Sequence, residues 1–289
     1  MKVSERFSRA NFALRLGKLH ARGQRAFTVI EVMITLAVTG LLFASAALLI
    51  NGRQSQTQFN QSIRNIQTQI QQIINEVAIG YYPNLNNFNC TAGASGPAIT
   101  AGSGAEQGAN TGCIFVGKAL QFKVAGMDPE EFAAYTIAGL QKGGAGGQES
   151  TSLSDARPLV VDLATDTRRL EGGLTTHRMW FTDGLTTQDI GAVAFTTTLA
   201  AYDAAGNITS GSQQVNVAPI ATTAINQSQS AVTSAINSRL RLVTQVLNPS
   251  GGVFLCFASA GTDQSGLITI GSKGRQLSVN LEIKRGKVC

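Results

Sequence analysis

The sequence contains few charged residues and few aromatic ones. Only 14% of its 289 residues are charged and 6% are aromatic, whereas 43% are hydrophobic and 31 are glycine. Coiled-coil arrays need many more charged residues and collagen needs many more glycines, so this composition excludes both classes. The chain is long enough to bury a sizeable core. We therefore expect a globular part built mainly of neutral strands and loops.

Histidine is also scarce, which argues against an enzyme. Of the two histidines, His20 is close to the N-terminus and only His177 lies in the rest of the chain. No histidine or carboxylate forms a recognisable nucleophile–base pattern with a serine or cysteine. The GGAGG stretch at 143–147 has no lysine after it and therefore lacks what a phosphate-binding loop needs. We expect no catalytic residues, no cofactor and no metal.

The net charge of +6 comes from the first 26 residues. Seven of the 23 lysines and arginines lie there beside one acidic residue, which leaves sixteen residues of each sign in 27–289. The basic character therefore belongs to an N-terminal leader and not to the body of the chain. All four cysteines come after the leader, as expected for a body that matures outside the cytoplasm.

A long apolar run follows the leader. Residues 27–50, FTVIEVMITLAVTGLLFASAALLI, contain a single charge, Glu31. As a helix they would span ~36 Å, enough to cross a hydrocarbon core of ~30 Å. The basic residues before the run predict a cytoplasmic N-terminus. We therefore expect a single-pass precursor in the cytoplasmic membrane, with the rest of the chain outside.

The helix is predicted to continue beyond the membrane. Apolar residues recur at steps of three and four on a background of glutamine, asparagine and serine, which is typical of an amphipathic helix. They are Phe59, Ile63, Ile66, Ile70, Ile73 and Val77. Gly80 and Pro83 are stop signals. We predict one helix from Phe27 to Ile79, half in lipid and half packed on the body.

The junction between leader and apolar run, RAFTVIE, resembles the prepilin cleavage and methylation motif of type IV pilins and type II secretion pseudopilins. Basic residues come first, an aromatic residue begins the apolar run, and Glu31 follows four residues later. The resemblance implies that prepilin peptidase cuts between Ala26 and Phe27 and methylates the new Phe27 amine. The family usually has glycine before the cut, so we expect Ala26 to slow cleavage without moving it.

The same resemblance implies a role for Glu31. A charged residue in a transmembrane helix costs about 2.5–3.5 kcal/mol, so it needs a partner or a purpose. In the family this carboxylate pairs with the N-terminal amine of a neighbouring subunit. Phe27 and Glu31 are therefore expected to be the assembly residues of a filament.

The resemblance also implies a fold, partners and a location. The fold would be α+β, a lollipop in which the long N-terminal helix packs on a β-sheet-rich globular head. The expected segments are the cleaved leader 1–26, the membrane half-helix 27–52, the amphipathic half-helix 53–82 and the head 83–289. The partners would be copies of itself and other pilins in a helical filament, prepilin peptidase, and the assembly platform and motors. The mature protein would form an extracellular pilus that serves adhesion or twitching motility.

Two simpler interpretations remain open. Glu31 could be a tolerated residue in an ordinary signal anchor. Ala44-Ser45-Ala46 follows the 12-residue apolar stretch 32–43 and is a possible signal peptidase site, which would release a soluble binding protein beginning at Ala47. The two processing routes predict different mature N-termini.

Strand-like runs with glycine-containing turns make up most of the chain after residue 82. We predict strands at 113–124, 133–140, 159–163, 175–181, 190–200, 213–217, 252–259, 267–271 and 275–284. The stretch from Gln229 to Leu247 has apolar residues at helical spacing and ends at Asn248-Pro249, so it predicts a second helix. Residues 128–131, DPEE, have the signals of a helix start, although the run after them is equally strand-like.

The cysteines suggest two disulfides. Cys90 and Cys113 bracket a stretch rich in small residues that we expect to be a bare surface loop, which a disulfide would stabilise by ~3 kcal/mol. Cys256 and Cys289 would pair similarly, although four cysteines allow three connectivities. Zinc binding is the less favoured alternative, because the sequence has no C-x-x-C pair.

A second, weaker resemblance concerns the C-terminus. The segment from GVFLCFAS to the terminal cysteine, with its Gly274-Arg275 pair, is similar to the closing hairpin of minor pilins and of pseudopilins, including H-type pseudopilins. In some competence-linked minor pilins this turn belongs to a DNA-binding patch, which here would use Lys273, Arg275 and Lys287. The aromatic residues of a single-strand platform are missing, because Phe254 and Phe257 flank Cys256 in an expected core strand. A solvated strand edge, or a basic patch facing the next subunit, explains these charges better than DNA does.

Overall fold

The computed structural model describes residues 27–80, 88–93, 95–101, 112–144, 147–199, 214–222, 225–242, 244–260, 262–273, 276–286 and 289. The chain divides into two compact units, one ending at Asn51 and one beginning at Gly52. The helices are α1 (Val29–Ala78), α2 (Leu153–Ala156) and α3 (Gln229–Arg239). The strands are β1 (Phe88–Gly93), β2 (Gly96–Ala101), β3 (Cys113–Gln121), β4 (Glu131–Leu140), β5 (Leu159–Arg169), β6 (Leu174–Asp183), β7 (Thr186–Asp189), β8 (Ala192–Thr197), β9 (Val215–Ile220), β10 (Gly252–Ser259), β11 (Gln264–Lys273) and β12 (Gln276–Arg285).

The long N-terminal helix and its amphipathic stripe are confirmed. All six residues of the predicted stripe, from Phe59 to Val77, are at most 1% exposed and belong to the main hydrophobic core. The helix ends at Ala78, and Gly80 follows it with a φ of +68°, a conformation that glycine adopts without strain after a helix. The 3.6-residue period of the sequence therefore located the buried face of α1.

Two five-stranded antiparallel sheets form the strand-rich part of the second unit. The first sheet has the order β5-β4-β3-β8-β9, and the second has the order β12-β11-β10-β6-β7. Phe132 and Ala134 of β4 join the core that contains α1, whereas Tyr135 and Ile137 of the same strand join a second core with α3. The centre of the first sheet is thus buried on both faces, which is why β4 is buried along nearly its whole length instead of alternating.

The second sheet packs one face against α1. Leu255 and Phe257 of β10 are fully buried in the same core as the stripe of α1. Gly266 of β11 permits a close approach, because a Cβ atom there would lie 2.6 Å from the Ile63 Cγ1 atom. Among the described residues, no helix packs on the opposite face of this sheet. That face is called the outer face below.

A buried ion pair joins α1 to the first sheet. The Lys118 ammonium of β3 contacts the Glu76 carboxylate of α1, and their side chains are only 7% and 14% exposed. Gln72 Nε2 also donates to Glu76 Oε1 at 2.9 Å. Because a buried charge is stable only with its partner in place, the pair favours one rotation and one register of α1 against β3.

The predicted strand regions all contain strands, but the predicted second helix is too long. α3 ends at Arg239 and not at Leu247. Asn248 binds β9 instead, since its N–H donates to the Val217 carbonyl at 2.8 Å and its Oδ1 accepts from the Val217 N–H at 2.8 Å. Between α3 and Asn248 the backbone makes turn hydrogen bonds, from the Leu242 N–H to the Arg239 carbonyl and from the Gln245 N–H to the Leu242 carbonyl, both at 3.1 Å.

The span between Cys90 and Cys113 is not a bare loop in its described part. Residues 88–93 and 96–101 form the antiparallel hairpin β1–β2, in which Cys90 lies opposite Ile99. The sequence rules missed this hairpin because its residues are small and bury little apolar surface. The same applies to β7, whose four residues are all exposed. The open question at 128–131 is answered by β4, which begins at Glu131.

A buried hydrogen-bond network beside α3 gives a first testable prediction. Tyr135 Oη donates to Gln121 Oε1 at 2.7 Å, and Gln121 Nε2 donates to the Gln227 carbonyl at 2.8 Å. Tyr135→Phe would leave the buried Gln121 oxygen unpaired, so we expect the free energy of unfolding to fall by about 1–3 kcal/mol. Denaturant unfolding measures this, and Ser234→Ala on the exposed side of α3 is the control, with a change within about 0.5 kcal/mol.

The same tyrosine predicts a pH dependence. Burial, reinforced by the Asp162 carboxylate, raises the pKa of Tyr135 well above its usual range. The folded protein therefore keeps the Tyr135 proton at a pH where the unfolded chain, with a pKa of about 10, has lost it. The contribution of protonated Tyr135 to the free energy of unfolding is complete below pH ~10 and is lost as the pH rises further. Wild type should lose more stability than Tyr135→Phe above that pH, and equal losses would contradict the assignment.

Candidate processing and assembly site

The start of α1 is set by Thr28. The Thr28 hydroxyl accepts from the Glu31 N–H at 3.3 Å, and its carbonyl accepts from the Glu31 and Val32 N–H groups at 3.0 and 3.2 Å. A threonine that satisfies free N–H groups in this way acts as a helix N-cap. Phe27 therefore lies outside the helix and is 76% exposed. Ala26 lies outside the described residues, but the residue that follows the predicted cut is in non-helical, accessible chain.

Glu31 lies in the first turn of α1. The spacing of Thr28 and Glu31 is that of a capping box, and a carboxylate is favoured near the positive end of the helix dipole. The carboxylate has no hydrogen-bond or ion-pair partner among the residues that the structure describes. It is exposed and lies one helical turn from Phe27.

The span from Val29 to Ala46 is exposed and mainly apolar. Val29–Ala46 is long and apolar enough to cross a membrane, and none of it is buried within the protein. The hydroxyls of Thr35, Thr39 and Ser45 donate to carbonyls three or four residues earlier in the helix, at 2.7–2.9 Å. These polar side chains therefore need no water. Glu31 is the exception within this described span.

The junction of the leader and the apolar helix is similar to a known protein family. Residues 21–47 match the family model described as the prokaryotic N-terminal methylation motif. Together with the apolar helix, this match supports a type IV pilin-like family. This motif and the apolar helix together fit a membrane-anchored precursor. No curated protein and no solved structure matches the chain.

The cysteines form two disulfides in the structure. Cys90 is joined to Cys113 and Cys256 to Cys289, with Cα–Cα distances of 6.0 and 5.9 Å. The first links the β1–β2 hairpin to β3, and the second holds the C-terminal residue against β10. His177 is exposed on β6, and no group of three or more metal-binding side chains occurs within the described ranges.

Of the three residues suggested for DNA binding, only one lies among the described residues. Lys273 is the last residue of β11, while Arg275 and Lys287 lie outside the described residues. Lys284, also on the closing hairpin, contacts Glu282 at 3.5 Å. The DNA-binding hypothesis therefore stays a prediction.

The interpretation of the two phenylalanines of β10 was wrong for one of them. Phe257 is fully buried, but Phe254 lies on the outer face and stacks on Trp180. Period-two alternation alone would have revealed the difference, since residues 254 and 257 must point to opposite faces of a strand.

Proposed function

We propose that the chain is a structural subunit of a type IV pilus-like extracellular filament that serves adhesion or twitching motility. The observation that carries this proposal is the Glu31 carboxylate, which has no partner among the described residues and lies one turn after an exposed Phe27. The membrane-length helix around it is otherwise apolar. The methylation motif at residues 21–47 supports it. The work is mechanical and needs no cofactor.

The residues at the helix start suggest how assembly proceeds. Prepilin peptidase would cut after Ala26 and leave a methylated amine on Phe27. Thr28 keeps this amine outside the helix, where a neighbouring subunit can reach it. Pairing of the Phe27 ammonium with Glu31 of a neighbour neutralises two charges that are costly in hydrocarbon. The charge pair would set the axial position of each subunit, and the apolar helices would then pack together.

The continuity of α1 favours this function over a secreted soluble protein. Ala44-Ser45-Ala46 lies inside α1, which continues to Ala78. A signal peptidase cut after Ala46 would divide the helix and discard both Glu31 and Phe27. Nothing in the described head favours a catalytic alternative.

Deletion of the gene tests the proposal and separates it from a secretion role. A pilus subunit should be required for surface filaments, seen by electron microscopy, and for attachment or twitching. A type II secretion pseudopilin should instead be required for the release of secreted proteins, with surface filaments unchanged. Normal filaments in the deletion strain would contradict the proposal.

The residue before the cut gives a prediction about processing. Ala26→Gly should speed leader removal roughly tenfold, the discrimination that one methyl group typically supports in a tight site. Pulse-chase electrophoresis in cells with prepilin peptidase measures the rate. Ala46→Gly is the matched control and should not change it. An Ala26→Gly rate equal to wild type, or processing that persists without the peptidase, would contradict the proposed cleavage.

A further inference from the structure

The outer face of the second sheet carries an aromatic pair. Trp180 of β6 and Phe254 of β10 lie opposite each other, with ring centroids 5.3 Å apart and planes 11° from parallel. The Arg178 guanidinium lies 5.0 Å from the Trp180 ring centroid, and Arg178 Nε donates to Asp189 Oδ1 at 2.8 Å. Both rings are partly exposed. We call Arg178, Trp180, Asp189 and Phe254 the Trp180 face.

A β-bulge in β6 leaves an additional polar side chain exposed next to Arg178. The register between β6 and β10 shifts at Cys256/Phe257, so His177 has no partner residue on β10. His177 and Arg178 are consecutive and both exposed, whereas regular strand residues alternate. Such bulges redirect side chains and are frequent beside functional surfaces. Here the bulge adds a second polar side chain next to the aromatic pair.

The two sheets differ in what covers them. The far face of the first sheet packs on Val232 and Ile236 of α3 and on Leu240, which directly follows α3. On the outer face of the second sheet, Cys256 is fully buried and is held by its disulfide to Cys289. The neighbouring pair, Trp180 and Phe254, stays open among the described residues. Two large rings are therefore left at a solvent boundary on a rigid sheet.

The composition of the Trp180 face suits a protein partner of low charge. Tryptophan and arginine are the residues that most often dominate binding energy at protein interfaces, and aromatic residues are enriched at interface centres. Among the described side chains of this sheet face, Arg178 is paired with Asp189 and Lys284 with Glu282. Neither of these two cations is free to bind a polyanion, so a partner surface of low charge suits the Trp180 face.

We propose that the Trp180 face packs against the head of a second copy of this chain. The proposal rests on the filament function proposed above, which brings heads together at high effective concentration. Residues 27–289 contain sixteen basic and sixteen acidic residues, so a second copy carries no net charge that would repel the first. The contact is heterologous: the Trp180 face of one copy meets a different surface on the head of the next copy, because a filament repeats one pair of different surfaces along its length.

The chain provides its own probe of this contact, because Trp180 is its only tryptophan. Acrylamide quenching of tryptophan fluorescence can be compared between purified full-length filaments and the same chains dispersed in detergent. A covered Trp180 face should quench roughly threefold less in filaments, since interface centres exclude water. Equal quenching in intact filaments would overturn the inference. Failure to form filaments would instead contradict the proposed function.

A photocrosslinker identifies the occupant. Thr269 lies beside Phe254 on β11, so p-benzoylphenylalanine placed there would face whatever covers the pair. Irradiated filaments should yield a covalent dimer of this chain, confirmed by peptide mass spectrometry. The same probe at Ser234, exposed on α3, is the matched control and should yield much less of that dimer. Absence of the Thr269 dimer, with or without a crosslink to a different protein, would overturn the inference.

Discussion

Glu31→Gln is expected to leave the precursor processed and in the membrane but to abolish filaments. Glutamine keeps the size and the hydrogen-bonding capacity of the side chain and removes only the charge. The Phe27 ammonium of each incoming subunit would then stay unpaired in hydrocarbon, at a cost of about 2.5–3.5 kcal/mol, or roughly 100-fold in affinity at every subunit contact. Because the penalty recurs at each added subunit, long filaments should disappear completely.

The measurement is the amount of this chain in sheared surface filaments relative to its amount in membranes. Glu149→Gln is the matched control, since Glu149 is exposed in the second unit, and it should assemble normally. The mass of the N-terminal peptide must show that the Glu31→Gln chain is still cut before Phe27, so that lost assembly is not lost processing. Filaments of normal abundance from a processed Glu31→Gln chain would show that Glu31 has no assembly role.

The second large effect concerns the buried pair of Lys118 and Glu76. Lys118→Met should lower the free energy of unfolding by about 3–5 kcal/mol, because it leaves the Glu76 carboxylate largely buried without its cation. Glu76→Leu should have a similar effect through the stranded ammonium. The double variant should recover most of the loss, since an apolar pair of similar volume removes both charges from the interior. Denaturant unfolding followed by Trp180 fluorescence gives the free energy of unfolding of the wild type, the two single variants and the double variant.

An exposed ion pair is the control for this cycle. Arg169 contacts Glu130 at 3.3 Å, but Arg169 is 68% exposed. Arg169→Met should therefore cost no more than about 1 kcal/mol. If the Lys118 and Glu76 losses simply add in the double variant, the two residues do not act as a pair, and α1 is held on the first sheet by apolar packing alone.

The sequence predicted the features that follow from strong periodicity. The stripe from Phe59 to Val77 has six apolar residues at helical spacing, a pattern that fits a helix buried on one face and fits no regular strand. The strands after residue 112, with the exception of β7, were also predicted, because they are rich in branched or aromatic residues and bounded by turn residues. The processing motif was recognisable because its charge, aromatic residue and Glu31 lie within a few residues of one another.

Features that depend on contacts between distant segments could not be predicted. α3 ends early, and the chain after it returns to β9, where Asn248 bonds to Val217, a partner 31 residues away that no local window contains. The Lys118–Glu76 pair joins residues 42 positions apart, and neither position is distinctive in sequence. Trp180 and Phe254 meet only because β6 and β10 are neighbours in the second sheet, and strand order does not follow from strand propensity.

Mass spectrometry of filaments sheared from intact cells tests the central claim most directly. The account predicts an abundant N-terminal peptide that begins at N-methylated Phe27 and contains Glu31, together with peptides of the head. That result would establish both processing at Ala26 and membership of the filament. A chain that begins at Ala47 in the culture fluid, with none in the filament fraction, would contradict the account and leave Glu31 without an assembly role.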